Sequence, residues 1–179
     1  MRIISGKARG TNIISPEGES TRPTLDRVRE AIFSMLFDAT CDACVLDLFA
    51  GSGAMGLESL SRGAVHVDFV DSDSKACDVV RQNIAKTRLT DADVHNCDFK
   101  RFLQTTSAKY DLIFLDPPYE AGFYNEALDL IVKGGLLASG GIIVAESNSD
   151  RLECAGFEVF RMRKYGKVFV YILKQEKPL

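Results

Sequence analysis

An apolar run that breaks into glycines and re-emerges with helical spacing constrains the fold of this chain more than any other feature. Val45-Leu46-Asp47-Leu48-Phe49 leads into Ala50-Gly51-Ser52-Gly53-Ala54-Met55-Gly56, and apolar periodicity resumes over Leu57 to Leu60. That order reads as a strand, a tight turn and a helix start, because glycine enters such turns without the steric cost of a Cβ. Gly51, Gly53 and Gly56 satisfy G-x-G-x-x-G. Asp71 stands 20 residues beyond Gly51, at the end of the next predicted strand, where an acid can hydrogen-bond a ribose hydroxyl. The unit implies a nucleoside-bearing cofactor.

The same alternation continues along the chain. Strands are predicted near 44–48, 65–70, 93–97, 110–115 and 140–146, with helices near 54–62, 74–88, 99–105 and 123–133 between them. An earlier helix, 26–37, turns Val28, Ile32, Met35 and Leu36 to one side. Strands separated by helices imply a parallel sheet covered on both faces. The end breaks the rhythm: Phe157 to Met162 and Val168 to Leu173 are β-rich runs joined through Gly166, too close for a helical crossover, so they pair antiparallel. The predicted fold is α/β and Rossmann-like, a mainly parallel seven-stranded sheet with an antiparallel C-terminal hairpin. Arg2 to Ser5 and Thr11 to Ser15 add a small hairpin around Gly6 and Gly10, followed by a loop over Pro16 to Ser20. With 179 residues and 46% apolar content, one domain suffices, read as an extension over 1–25 and a core over 26–179. No window approaches the ~20 apolar residues of a membrane span, and the N-terminus has no leader-like apolar core, so a cytoplasmic protein is expected. The five cysteines lack the spacing of a disulfide framework or zinc ribbon, and reduced structural thiols without a bound metal are expected.

The second chemical signal is Asp116-Pro117-Pro118-Tyr119, placed directly after the apolar run Leu112 to Leu115. Proline fixes φ near −65° and removes backbone donors, which leaves the carbonyls of Asp116 and Pro117 available as outward acceptors. An acid, two such carbonyls and an aromatic ring suit a flat, amino-bearing nucleobase. Charge then distinguishes the cofactor. A dinucleotide would bring an anionic pyrophosphate beside Asp47, whereas S-adenosylmethionine brings a sulfonium and an ammonium. Asp47 at the carboxyl end of the first strand favours the latter. By position, Gly51, Ser52 and Gly53 approach its methionine portion, Asp71 its ribose, and Asp98 with Phe99 its adenine, with Phe49 and Asp116 as further cofactor-binding candidates. Asp73 or Ser74 is assigned to capping the following helix, and Asp98 could likewise be only a cap.

The net charge of −3 hides an uneven distribution. Residues 1–30 sum to +2, residues 31–150 to −9 and residues 151–179 to +4. Arg2, Lys7 and Arg9 have no acidic neighbour in the first eleven residues and form a candidate phosphate-contacting arm, with Arg22 as a further grip. For Arg22 an ion pair with the helix from Asp26 is an equal alternative. Pro118 and Tyr119 would meet the base itself.

These pieces together resemble the bacterial 16S rRNA guanine-N2 methyltransferases of the small ribosomal subunit, enzymes of the Asp-Pro-Pro-Tyr type. The similarity spans nearly the whole chain: Arg2-Ile3-Ile4-Ser5-Gly6, Thr21-Arg22-Pro23-Thr24, Arg27 to Phe33, Asp47 to Gly63 and Asp116 to Tyr119. It implies a class I S-adenosylmethionine-dependent methyltransferase that modifies a guanine exocyclic amine in 16S rRNA, within the subunit or an assembly intermediate. Asp116, Pro117 and Tyr119 would carry the chemistry in a monomer without a metal. A DNA or RNA adenine-N6 or cytosine-N4 methyltransferase could use the same tetrapeptide, though the DNA enzymes generally carry a separate recognition domain. Protein-glutamine methyltransferases usually have Asn at the position of Asp116. A silent RNA-binding module would be expected to lose Asp116 or the glycine loop, and an NAD oxidoreductase remains as a different class of enzyme.

Overall fold

The computed structural model describes residues 1–15, 23–118, 122–152, 154 and 156–176. Its elements run α1 (Pro23–Leu36), β1 (Cys44–Asp47), α2 (Ala54–Ser61), β2 (His66–Asp71), α3 (Ser74–Thr87), β3 (Ala92–Asn96), α4 (Phe99–Thr105), β4 (Tyr110–Leu115), α5 (Phe123–Gly134), β5 (Leu137–Ser147), β6 (Phe157–Tyr165) and β7 (Val168–Gln175). The strands form one sheet in the order β3-β2-β1-β4-β5-β7-β6, parallel up to β5 and antiparallel across β7 and β6. No helix among the described residues is long and apolar enough to cross a membrane.

The central strands are buried on both faces, as their nearly unbroken apolar runs require. One core layer joins Val45, Val67, Phe69, Phe114 and Val144 to the N-terminal arm and α1 through Ile3, Ile13, Ile32 and Phe33. The other joins Leu46, Leu48, Ile113 and Leu115 to α4 and α5 through Phe102, Leu128 and Ile131. Asp68 is a charged intruder at the β2 end of this arrangement. It accepts a hydrogen bond from the Tyr110 hydroxyl at 2.7 Å and lies 2.7 Å from the His95 ring nitrogen.

The predicted helices and sheet strands all occur, β6 running on to Tyr165 past the predicted Met162, and three further differences stand out; the predicted loop over Pro16 to Ser20 lies outside the described residues. Helix α1 begins at Pro23 rather than Asp26, since proline is suited to a first helical turn, where its missing N–H has no partner to lose. Strand β5 begins at Leu137, ahead of the predicted residue 140, and its register shifts opposite Tyr110 and Leu112. Gly140, at φ 81°, therefore marks an irregularity inside a strand rather than its boundary. The N-terminal hairpin is reduced to one antiparallel bridge, Arg2 to Asn12, backed by Ile3 N–H donating to the Thr11 carbonyl at 3.0 Å and Gly10 N–H to that of Ile3 at 2.9 Å.

Side chains from α2 and α3 hold the arm down in place of sheet pairing. Glu58 is fully buried and accepts from Ile4 N–H at 2.7 Å and Ser5 N–H at 3.0 Å, while Arg62 pairs with it at 2.8 Å. Asn83 closes the far end, accepting from Ile14 N–H at 2.7 Å and donating to the Ile14 and Ser52 carbonyls at 2.9 Å each. Gly6 makes the close approach possible: at φ 80°, an added Cβ would lie 1.7 Å from the Ser61 carbonyl oxygen. Glu58→Ala strips two partly buried N–H groups and Arg62 of their shared acceptor. It should cost ~3 kcal/mol in urea unfolding, with earlier proteolysis of the arm as a second readout.

Candidate functional site

The C-terminal ends of β1, β2, β4 and β5 meet at the edge where open α/β sheets bind ligands. Two adjoining cavities of about 370 and 420 Å³ open there, sharing Phe49, Gly51 and Asp116 in their walls. The first is closed by Met1 and Arg29 from the arm and α1, with Asp47, Ser52 and Glu146 among its lining. The second is lined by Asp71, Asp98, Phe99, Pro117, Pro118 and Phe123. Asp116 is thus on the wall between two compartments.

The glycine turn supplies the floor. Gly51 N–H donates to the Asp71 carboxylate at 2.9 Å, tying the loop after β1 to the end of β2. Gly53 caps α2 from the left-handed region at φ 75°. Gly56 lies so close to β2 that an added Cβ would stand 2.3 Å from the Phe69 ring, so the third glycine of the motif permits helix-on-strand contact. Asp47 is buried and accepts from Gly56 N–H at 3.0 Å. It braces this turn while facing the first cavity.

Electrostatically the first cavity is acidic. Desolvation raises Asp47 to about 7 despite the Gly56 hydrogen bond that opposes it, with Asp116 and Asp71 adding repulsion. Glu146 is raised to about 8, by burial first and then by Asp116 and Asp47. Asp47 and Glu146, flanking Asp116 on the neighbouring strands, hold their protons tightly until a cation arrives to replace them. The same cavity holds a counterpart: Arg29 is 4% exposed, and its Nε has no hydrogen-bond partner among the described residues. Its Nη2 donates to the Arg2 carbonyl and to Asp26. Acids plus a buried guanidinium complement a ligand that carries both an ammonium and a carboxylate.

The second cavity is aromatic. The rings of Phe49 and Phe99 lie 5.2 Å apart, those of Phe99 and Phe123 5.1 Å, and Phe49 stacks parallel to Phe123 at 6.4 Å. This frame suits a flat heterocycle.

Of the residues expected from sequence, Asp47, Phe49, Gly51, Ser52, Asp71, Asp98, Phe99, Asp116, Pro117 and Pro118 all line one cavity or the other. Gly53 shapes the turn without lining either. Asp73 caps α3 through Lys75 N–H at 2.9 Å, and Asp98 caps α4 through Lys100 N–H at 2.8 Å while remaining in the cavity wall. Arg2, Lys7 and Arg9 are exposed on the arm. Tyr119 and Arg22 lie outside the described residues. Sequence reasoning missed Arg29, Phe123 and Glu146. Phe123 carried a usable signal, an aromatic opening a helix just after the Asp-Pro-Pro-Tyr segment. His66, Asp68 and Asp93 bring possible ligand atoms within 4.8 Å of one another on β2 and β3, but Asp68 is already engaged by Tyr110 and His95.

A sheet ordered β3-β2-β1-β4-β5-β7-β6, with a glycine turn after β1 and Asp-Pro-Pro after β4, defines the class of Rossmann-like methyltransferases. Comparison with known proteins agrees. The chain belongs to the family described as "Conserved hypothetical protein 95", whose model matches residues 1–174. It is 42% identical over 154 residues to YlbH of Bacillus subtilis, covering 84% of each chain. It is 37% identical over 150 residues to the Escherichia coli protein named "Ribosomal RNA small subunit methyltransferase D", covering 84% of this chain and 76% of that one. The solved structure of yhhF from Escherichia coli superimposes with a TM-score of 0.89 at 34% identity, covering 99% of both chains.

The raised carboxylates fix how stability depends on pH in the ligand-free protein. A group that binds its proton more tightly when folded stabilises fully below its unfolded value, and that contribution fades as pH rises through the folded value. For Asp47 and Glu146 the loss spans roughly pH 4 to 8. Glu146→Gln should therefore exceed wild type in stability at pH 8 by on the order of 2 kcal/mol, with the gap closing toward pH 4. Urea titrations across that range measure it; a gap that is constant with pH would exclude the carboxylate as its source.

Proposed function

We propose that this protein transfers a methyl group from S-adenosylmethionine to the exocyclic N2 amine of a guanine in the 16S rRNA of the small ribosomal subunit. The observation that carries this is Asp116-Pro117, held in the wall between a zwitterion-matched cavity and an aromatic one. The cofactor supplies a methyl carbon made electrophilic by a positively charged sulfur. Its chemistry matches the donor set: Asp47 and Glu146 for the cationic end, Arg29 for the carboxylate, Asp71 for ribose hydroxyls, and Phe49, Phe99 and Phe123 around adenine. Phosphate has no such complement in the acidic cavity, which argues against a dinucleotide.

A guanine amine is a poor nucleophile because its lone pair is delocalised into the ring. Asp116 and the Pro117 carbonyl can accept its two N–H bonds, which favours a pyramidal nitrogen and stabilises the positive charge that develops there. Tyr119 would stack on the base. Holding nitrogen and methyl carbon ~3 to 3.5 Å apart, in line with the departing sulfur, supplies the rest through orientation. The guanine must leave its stack to reach the site, at a cost of a few kcal/mol unless it is already unpaired. The relatives named small-subunit rRNA methyltransferase D support ribosomal RNA as substrate, and the arm cations Arg2, Lys7 and Arg9 supply positive charge for its backbone.

The direct test is methylation of small-subunit RNA and of particles lacking the modification, followed by nucleoside mass spectrometry. N2-methylguanine is expected; N6-methyladenine or N4-methylcytosine would replace the guanine assignment. Asp116→Ala should lower turnover by roughly 10²-fold or more while cofactor affinity changes far less. Calorimetry in buffers of different ionisation enthalpy should register proton release on cofactor binding near pH 7, because a cation beside Asp47 and Glu146 lowers their proton affinity. Affinity should accordingly rise with pH between about 6 and 8.

A further inference from the structure

The strand furthest from the glycine turn carries positive charge that the site just described does not use. β6 is the outer strand of the sheet, and nearly all of it is exposed, including Val159, Phe160 and Met162 at 47%, 54% and 39%. Between Phe157 and Gln175 the only acid is Glu158, against Arg161, Arg163, Lys164, Lys167 and Lys174. Edge strands are often charged to block pairing with other chains, but that purpose is served by either sign and on either face. Here the sign is nearly uniform, and the register assigns a face.

Glu146 pairs with Val170, and Val170 with Arg163. Val144 pairs with Ile172, and Ile172 with Arg161. Residues in one row share a face, so Arg161 and Arg163 project on the side where Val144 and Glu146 line the first cavity. Two inter-strand spacings separate Arg163 from Glu146, ~10 Å. Lys174 lies on that same face, opposite Ile142, with its ammonium 3.6 Å from the Phe160 ring centre. The N-terminal arm and α1 cover the same layer of the sheet through Ile3, Ile13 and Val28, and Met1 and Arg29 close the first cavity from that side.

We propose that β6 is an RNA-contacting edge, in which Arg161 and Arg163 hold backbone phosphates flanking the nucleotide delivered to Asp116. The inference rests on the methyltransferase reading above and names a contact surface that reading leaves open. Charge complementarity selects the occupant: a run of cations beside an acidic pocket attracts a polyanion whose backbone passes outside while a neutral base enters.

The test is the salt dependence of binding to transcribed 16S rRNA, read by filter retention between 50 and 200 mM salt, for wild type and R161A/R163A. Losing two phosphate contacts should weaken binding roughly tenfold and flatten the log Kd against log salt slope by about 1.4 to 1.8. A purely structural role would not move the slope. Cofactor affinity by calorimetry should stay at the wild-type value, which confirms folding, and R161K/R163K should restore the slope. Unchanged affinity and slope in the alanine variant overturn the proposal, and they leave the functional reading standing if wild type methylates the RNA. Absence of methylation by wild type, with the slope change present, would remove the functional reading and keep the surface. A dimer in light scattering that R161A/R163A alters would assign the edge to a second copy and overturn the RNA contact.

Discussion

Repulsion among carboxylates at the ends of β1, β4 and β5 is the constraint around which the functional edge is organised. Parallel register lines up Asp47 with Phe114 and Leu115 with Ala145, which leaves Asp116 and Glu146 as the next residues out on neighbouring strands. Burial first, and then the proximity of the other acids, raises Asp47 and Glu146 toward neutral pH. A core built for stability alone would place apolar residues there. The arrangement becomes favourable when a cation enters, so the stored repulsion is a source of ligand selectivity.

The arm is the second half of this design. It contributes no strand to the sheet, yet Met1 closes the first cavity, and Arg29 is oriented by the Arg2 carbonyl. Glu58, Ser61 and Asn83 fix the arm's backbone from α2 and α3. Its cations are therefore displayed from a rigid support rather than from a tail, which would lower the ordering cost of gripping a phosphate backbone in the function proposed above. Contacts made to RNA by the arm would bear directly on the cavity wall.

How far this was legible in the sequence depends on the range of the interaction involved. Gly51, Gly53 and Gly56 announce their turn because local backbone geometry demands them, and Asp116-Pro117-Pro118 announces itself because proline removes donors. The strand and helix rhythm follows from apolar periodicity, and the antiparallel ending from the shortness of the link at Gly166. Glu146 gave no local sign: it follows the apolar run Ile142 to Ala145 like any strand-ending polar residue, and only the register with β4 brings it to Asp116. Glu58 and Asn83 look like solvent-facing positions until the arm, 53 or more residues away in sequence, folds over them. Gly140 was misleading, since a glycine inside a strand carries the same signature as one that ends it.

Antiparallel closure by β7 has a consequence beyond fold classification. Had the last strands continued the parallel pattern, each would have needed a covering helix on one face, and the outer edge near the cavity would have been buried. A hairpin needs no crossover, so β6 is left bare on the side of the first cavity, with Arg161 and Arg163 in rows that end at Val144 and Glu146. The acidic pocket and the basic rim are thereby held ~10 Å apart by two strands of backbone. That separation resolves an electrostatic conflict: the carboxylates that attract a cationic cofactor would otherwise repel a polyanionic substrate. With a Debye length of about 8 Å at physiological salt, cations on the near edge outweigh acids buried behind them for a phosphate approaching from solvent.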